Sequence, residues 1–128
     1  MIVGTAHLAA AYAEGSGEAY PSVLSTPALI GLLERACAAT LQPHLAEDEM
    51  SVGVRVSVVH RSPTALGQKV SATARFTHRE GRLFVFDVRA DDDGGVVATG
   101  EHARAIVKAA SVEQRARERM QKATGVLQ

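Results

Sequence analysis

The sequence predicts an α+β fold, on two observations: one strongly apolar helix lies ahead of a long stretch in which apolar side chains recur at every second position. Length sets the scale, since 128 residues make one domain large enough to bury a core. With no Trp, two Tyr and three Phe, that core must be filled by Val, Ala and Leu.

The N-terminal segment is mixed. Ile2 and Val3 lead into an alanine-rich piece, and Gly15, Ser16, Gly17 and Pro21 follow, which together predict a short strand or helical turn and then a loop. The pattern sharpens at Ser25-Thr26-Pro27. A threonine accepts from first-turn N–H groups and a proline is pre-set for the first helical position, so Thr26 is read as the N-cap of a helix from Pro27 to about Leu41, ended before Pro43. Leu29, Ile30, Leu32, Leu33, Ala36, Cys37 and Leu41 give this helix a wide apolar stripe that belongs against a core.

Period two then takes over. Val52, Val54, Val56 and Val58 alternate with Ser51, Gly53, Arg55 and Ser57, which predicts a strand whose valines face the helix. After a loop with Pro63 and Gly67, Val70, Ala72, Ala74 and Phe76 mark a second strand. Glu80-Gly81 turns into a third, Arg82 to Ala90, and the Asp91–Gly95 stretch turns into a fourth, Val96 to Lys108. Short turns make these an antiparallel meander, joined by the strand at 51–60. Beyond it SVEQRARERMQKAT, with Ser111 and Gln114 as a capping box and Gly125 as its end, reads as a surface helix or frayed tail. Residues 1–110 are thus the domain and 111–128 a charged C-terminal helix or tail.

Composition excludes several functions. Lys plus Arg and Asp plus Glu each number 14, and a net charge of zero argues against binding nucleic acid or an anionic membrane. A lone Cys37 excludes a disulfide framework and a multi-cysteine zinc site, and fits a reducing cytoplasm. No apolar run is long enough to span a membrane, and no basic segment precedes the short apolar start as in a secretory signal. There is no phosphate-binding glycine loop, no HExxH pair and no nucleophile elbow, and His7, His44 and His78 stand at no metal-binding spacing, so neither a cofactor nor a metal is called for.

Two titratable residues stand where their chemistry is costly. Glu34 sits at the edge of the helix's apolar arc, and burial disfavours a charged carboxylate unless a cation or donors compensate. Its ordinary alternative is a helix-edge side chain that reaches solvent or pairs with an arginine. His60, counted by two from Val52, points inward at the strand's end; the alternative is a core-edge histidine donating to a carbonyl. Thr26 needs no role beyond its cap. Cys37 reads as a small core residue, and His102 and Arg104 as part of an ordinary polar face.

The segments SVLSTPALIGLLERACAATLQPHL, SVGVRVSVVHRSPTALGQKV and GEHARAIV, in that order, resemble the hotdog-fold acyl-CoA thioesterases of the fluoroacetyl-CoA thioesterase type, over about Leu24 to Val107. The resemblance implies a helix wrapped by an antiparallel sheet, a homodimer or dimer of dimers with the acyl site between protomers, and hydrolysis of a small acyl-CoA. It assigns Thr26, Glu34 and His60 to catalysis and Gly53 and Arg104 to the substrate's surroundings. In the implied chemistry Glu34 attacks the thioester carbonyl or activates water, His60 handles the proton, and Thr26 holds the carboxylate or intermediate by a hydrogen bond.

Three features depart from the family. The last strand carries Glu101-His102-Ala103-Arg104 where threonine-His-Glu-Arg is usual, and only four residues precede Thr5, which predicts either a shortened first strand or a misassigned start codon. The family's aromatic lid is not recognisable in GSGEAYPSVL, so selectivity for fluoroacetyl groups is not carried over. The rival from another class is a non-catalytic acyl-CoA or small-ligand binding module on the same fold; a hotdog hydratase or dehydratase typically has a different local motif.

Overall fold

The computed structural model describes residues 1–125. Helix α1 spans Thr26–Leu41, strand β1 Glu49–His60, β2 Ser71–Glu80, β3 Leu83–Asp92, β4 Gly95–Lys108, and helix α2 Ala109–Thr124. The strands form one antiparallel sheet in the order β1-β4-β3-β2, so β4 is central and β1 is an edge.

Helix α1 buries Leu29, Leu33, Cys37 and Leu41, the i, i+4 row of its stripe. They meet Phe86, Val88 and Ala90 of β3, Val97 and Ala98 of β4, and Val70. Each buried leucine contributes roughly 1.5–3 kcal/mol by leaving water. The N-terminal segment forms two 3₁₀ turns, Thr5–His7 and Ala9–Tyr12, rather than a strand. It is tied down by single bridges, Ile2 to Lys69 and Leu8 to Leu24.

The helix begins one residue before the expected start. Ser25 is the N-cap, its hydroxyl accepting from the Ala28 N–H at 3.1 Å, and Thr26 is already helical. Ser25→Ala is therefore expected to cost about 1 kcal/mol in denaturant unfolding, whereas Thr26→Val leaves the cap intact and costs less. A cap-sized stability loss from Thr26→Val would return the capping role to Thr26.

The strand at 51–60 forms, but its valines do not share one face. Cross-strand partners share a face of the sheet. Ser51 and Gly53 pair with Ile106 and Arg104; the register then slips by one residue, and Val56, Val58 and His60 pair with His102, Gly100 and Ala98. Val54 is the extra residue of this β-bulge. The helix-side set is thus Ser51, Gly53, Val56, Val58 and His60, with Val52 turned to the opposite face. Val54 and Val56 are 54% and 43% exposed, because nothing in the protomer covers this edge strand. Beside it Gly100 is obligatory, since a Cβ there would overlap the Ser57 carbonyl oxygen.

The opposite face of the sheet mixes charged side chains with the buried Val85 and Ala103. Arg55 pairs with Glu80 and Glu101, and Arg75 with Asp87; these exposed pairs add little to stability. Helix α2 starts at Ala109, whose N–H donates to the Asp48 carbonyl, and the predicted capping box is not formed: the Ser111 hydroxyl donates to the Lys108 carbonyl. Gly125, at φ 75°, closes it, and residues 126–128 of the helix or tail expected over 111–128 lie outside the described residues. Among the described residues no helix is long and apolar enough to cross a membrane.

Candidate functional site

The two polar residues at the N-terminal end of the core are brought together. Thr26, freed from capping, lies in the first turn of α1, and His60 ends the helix side of β1; the Thr26 hydroxyl and His60 Nδ1 are 2.8 Å apart. The other ring nitrogen, Nε2, is buried without a hydrogen-bond partner among the described residues. An orphaned buried nitrogen is costly, and functional sites are where such costs are kept. Ala9, Tyr12, Tyr20, Ser25, Thr26 and Pro27 enclose a cleft of about 280 Å³ at this end. Tyr20, from the GSGEAYPSVL stretch, lines the same cleft as Thr26.

Glu34 is placed elsewhere. Eight residues along α1 from Thr26 put it roughly 12 Å further along the axis. Its Oε1 lies 3.8 Å from both Arg104 Nη1 and His102 Nε2, and a Cβ on Gly53 would come within 2.6 Å of it. Within one protomer the structure therefore pairs Thr26 with His60, and Glu34 with Gly53 and Arg104. The hydrogen bond expected from Thr26 to the Glu34 carboxylate is absent from the described residues.

His102 was read as part of an ordinary polar face, yet it holds the second group together. Central β4 buries it to 2% exposure. Its Nδ1–H donates to the Arg55 carbonyl at 2.9 Å, and its Nε2 accepts from Arg104 Nη1 at 3.1 Å. These bonds fix the neutral tautomer, and burial, more than any charge nearby, holds its pKa below the usual histidine range. The 3.8 Å approach to Glu34 is thus no ion pair. Arg104, also buried, donates further to the Ser51 hydroxyl and carbonyl at 2.9 Å each, so its guanidinium is fixed beside the carboxylate. The alternation that puts His102 and Arg104 on one face was the available signal for both.

The Glu34 carboxylate is 39% exposed and borders a cleft of about 500 Å³, in the range of small-ligand sites, walled by Gly31, Leu32, Arg104 and, on the N-terminal segment, His7 and Tyr12. Tyr12 borders both clefts. Cys37, buried beneath, has its thiol pushed up to about 11 by burial and stays protonated, which removes it as a nucleophile. No cluster of side chains able to hold a metal ion occurs among the described residues.

Gly53 stands at the close approach of β1 to this group, and the β-bulge is what turns it inward. A Cβ there would meet the end of the flexible Glu34 side chain and, at 3.2 Å, the ring of buried His102, so Gly53→Ala is expected to displace Glu34 and to lower the thermal midpoint by a few degrees. A large loss of stability with intact specific activity in the folded fraction would make Gly53 a structural residue only.

The chain is similar to several known proteins. A model of the fluoroacetyl-CoA-specific thioesterase family matches residues 3–110. The fluoroacetyl-CoA thioesterase of Streptantibioticus cattleyicolor is 34% identical over 88 residues, 69% of this chain and 63% of that protein, so the match spans under two thirds of the relative's length. The solved structure of a fluoroacetyl-CoA thioesterase superposes with a TM-score of 0.86 at 28% identity, over 92% of this chain and 89% of that one. A variant of that enzyme in complex with fluoroacetate and CoA gives 0.80 at 31% identity, over 87% of this chain and 90% of the other. A thioesterase superfamily member of Thermus thermophilus, at 21% identity, shares the fold, with a TM-score of 0.85 over 98% of this chain and 90% of that one. The fold is the hotdog: a long helix laid across an antiparallel sheet.

Proposed function

The chain belongs to the fluoroacetyl-CoA-specific thioesterase family, and from that premise we propose that it hydrolyses small acyl-CoA thioesters at a site completed by two protomers. The observation that carries the proposal is the separation of the two polar groups: Thr26 with His60 at one end of α1, Glu34 with Gly53, His102 and Arg104 in its middle. Glu34 lies roughly 12 Å along α1 from Thr26, the residue that holds the His60 imidazole, and groups so separated do not act on one carbonyl. Strand β1 supplies the means of joining them. It is an edge, its outer side lined by exposed Val54, Val56 and Val59, and an edge of that kind pairs readily with a copy of itself. Antiparallel pairing centred between Val56 and Ser57 sets the partner's His60 opposite Gly53, beside Glu34.

In that arrangement the Glu34 carboxylate delivers the attacking oxygen, either its own or that of a water it deprotonates. His60 Nε2, buried and unpaired in the protomer, carries the proton, and the Thr26 hydroxyl holds the imidazole through Nδ1. Arg104 and neutral His102 position the carboxylate. Thiolate is a good leaving group, so little else is asked of the site. Gly53 keeps space beside the carbonyl, which favours a small acyl group. The cytoplasm, where a lone unpaired cysteine persists, is the proposed compartment.

The test is a panel of short, branched and aromatic acyl-CoAs with a thiol-reactive dye. Release of free CoA, fastest with a small acyl group, is expected. Binding of CoA without thiol release on any member would instead make the protein a ligand-binding module.

A further inference from the structure

Helix α2 lies beyond the residues matched by the family model and takes no part in the chemistry above. Between it and the start of β1 runs a groove of about 800 Å³. Its floor is apolar, from Val52, Val107, Val112 and Ala116, and its rim carries Arg115, Arg119 and Lys122 with a single acid, Glu118. The three bases recur at i, i+4 and i+7, one face of the helix over about 10 Å of its length.

Charge is concentrated here. The chain is neutral overall, but α2 carries Arg115, Arg117, Arg119 and Lys122 against Glu113 and Glu118, a net charge of 4 − 2 = +2. Elsewhere Arg55, Arg75, Arg89 and Lys108 each pair with a carboxylate, while Arg35, Arg61, Lys69, Arg79 and Arg82 are spread singly over other elements. Arg115, Arg119 and Lys122 have no ion-pair partner among the described residues. An apolar floor under unpaired bases suits a ligand with a flat apolar ring and several phosphates, because guanidinium groups bind phosphate through paired, charge-assisted hydrogen bonds.

We propose that this groove binds the nucleotide end of coenzyme A, the adenine lying on the Val52–Val112 floor and the phosphates held by Arg115, Arg119 and Lys122; this rests on acyl-CoA being the substrate. The groove reaches the reacting end of the molecule through Gly53, which lines it and also approaches the Glu34 carboxylate. In the paired arrangement the partner strand ends at His60, so the edge of β1 from Glu49 to Val52 stays open for the pantetheine arm to pass from α2 to Glu34.

The test compares two substrates with one acyl group: the acyl-CoA, and its N-acetylcysteamine thioester, which has no nucleotide. Glutamine keeps α2 helical, so the Arg115→Gln/Arg119→Gln double variant removes charge alone. The expected result is a KM for acyl-CoA raised about tenfold or more, an unchanged kcat, and unchanged kinetics on the N-acetylcysteamine thioester. An unchanged KM for acyl-CoA overturns the assignment, and so does an equal loss on both substrates, which marks a structural role for the helix. Binding of CoA itself, followed by calorimetry, separates the two proposals: if no thioester is cleaved but CoA binds and the double variant weakens it, the groove stands and the hydrolase falls.

Discussion

Glu34→Gln is expected to lower turnover of the best acyl-CoA by at least about a hundredfold, the scale set by removing a nucleophile or general base. The substitution keeps size and shape while taking away the basic oxygen. Little stability is at stake, since the carboxylate is 39% exposed and its nearest cation, Arg104, stands at 3.8 Å, beyond hydrogen-bond distance. In the proposed mechanism Glu34 acts on the carbonyl and not on the nucleotide, so the loss belongs in kcat rather than KM. Near-native kcat on the best substrate, with the variant folded, would remove Glu34 from the chemistry and leave Arg104 and His102 as a buried structural pair.

His60→Ala is expected to cost as much, again at least about a hundredfold in kcat. Here the argument rests on the two ring nitrogens. Nδ1 is committed to the Thr26 hydroxyl at 2.8 Å, whereas Nε2 is buried without a partner, so Nε2 is the atom left to exchange a proton. His60→Asn makes the distinction sharp, since its amide can keep a hydrogen bond to Thr26 but cannot shuttle a proton. Both variants are expected to lose turnover alike. Retention of activity by His60→Asn would mean that the imidazole only positions Thr26, and that the threonine-side group does no acid–base work.

Much of the fold was legible because each element had a physical signature of its own. Ser-Thr-Pro marked the start of α1, and apolar residues spaced for one helix face identified what it buries. What escaped were effects of a single residue. Ser25 and Thr26 are both competent caps and Pro27 fits either of the first two helical positions, so the sequence does not choose between them, although the choice decides whether the Thr26 hydroxyl is free for His60. The bulge at Val54 is hidden for a related reason. Apolar and small or polar residues alternate without interruption from Ser51 to Val58, so parity assigns Gly53 outward, whereas the extra residue turns Gly53 inward onto Glu34 and Val52 away. His102 and Arg104 share a face by parity, but their burial comes from the central position of β4, which only the assembled sheet supplies. The resemblance gathered Thr26, Glu34 and His60 into one group, yet their positions along α1 and β1 separate them within the protomer.

That separation is tested most directly by subunit complementation. Glu34→Gln and His60→Ala proteins, each nearly inactive, are mixed under conditions that let protomers exchange, and thiol release from acyl-CoA is followed. If Glu34 works with the partner's His60, a hybrid dimer carries both lesions in one site and none in the other. A one-to-one mixture then recovers about a quarter of wild-type activity, since about half of the dimers are hybrids with one of two sites intact. If each site is built within one protomer, every site in a hybrid retains a lesion; a mixture that exchanges fully and stays as inactive as its components would contradict the shared site.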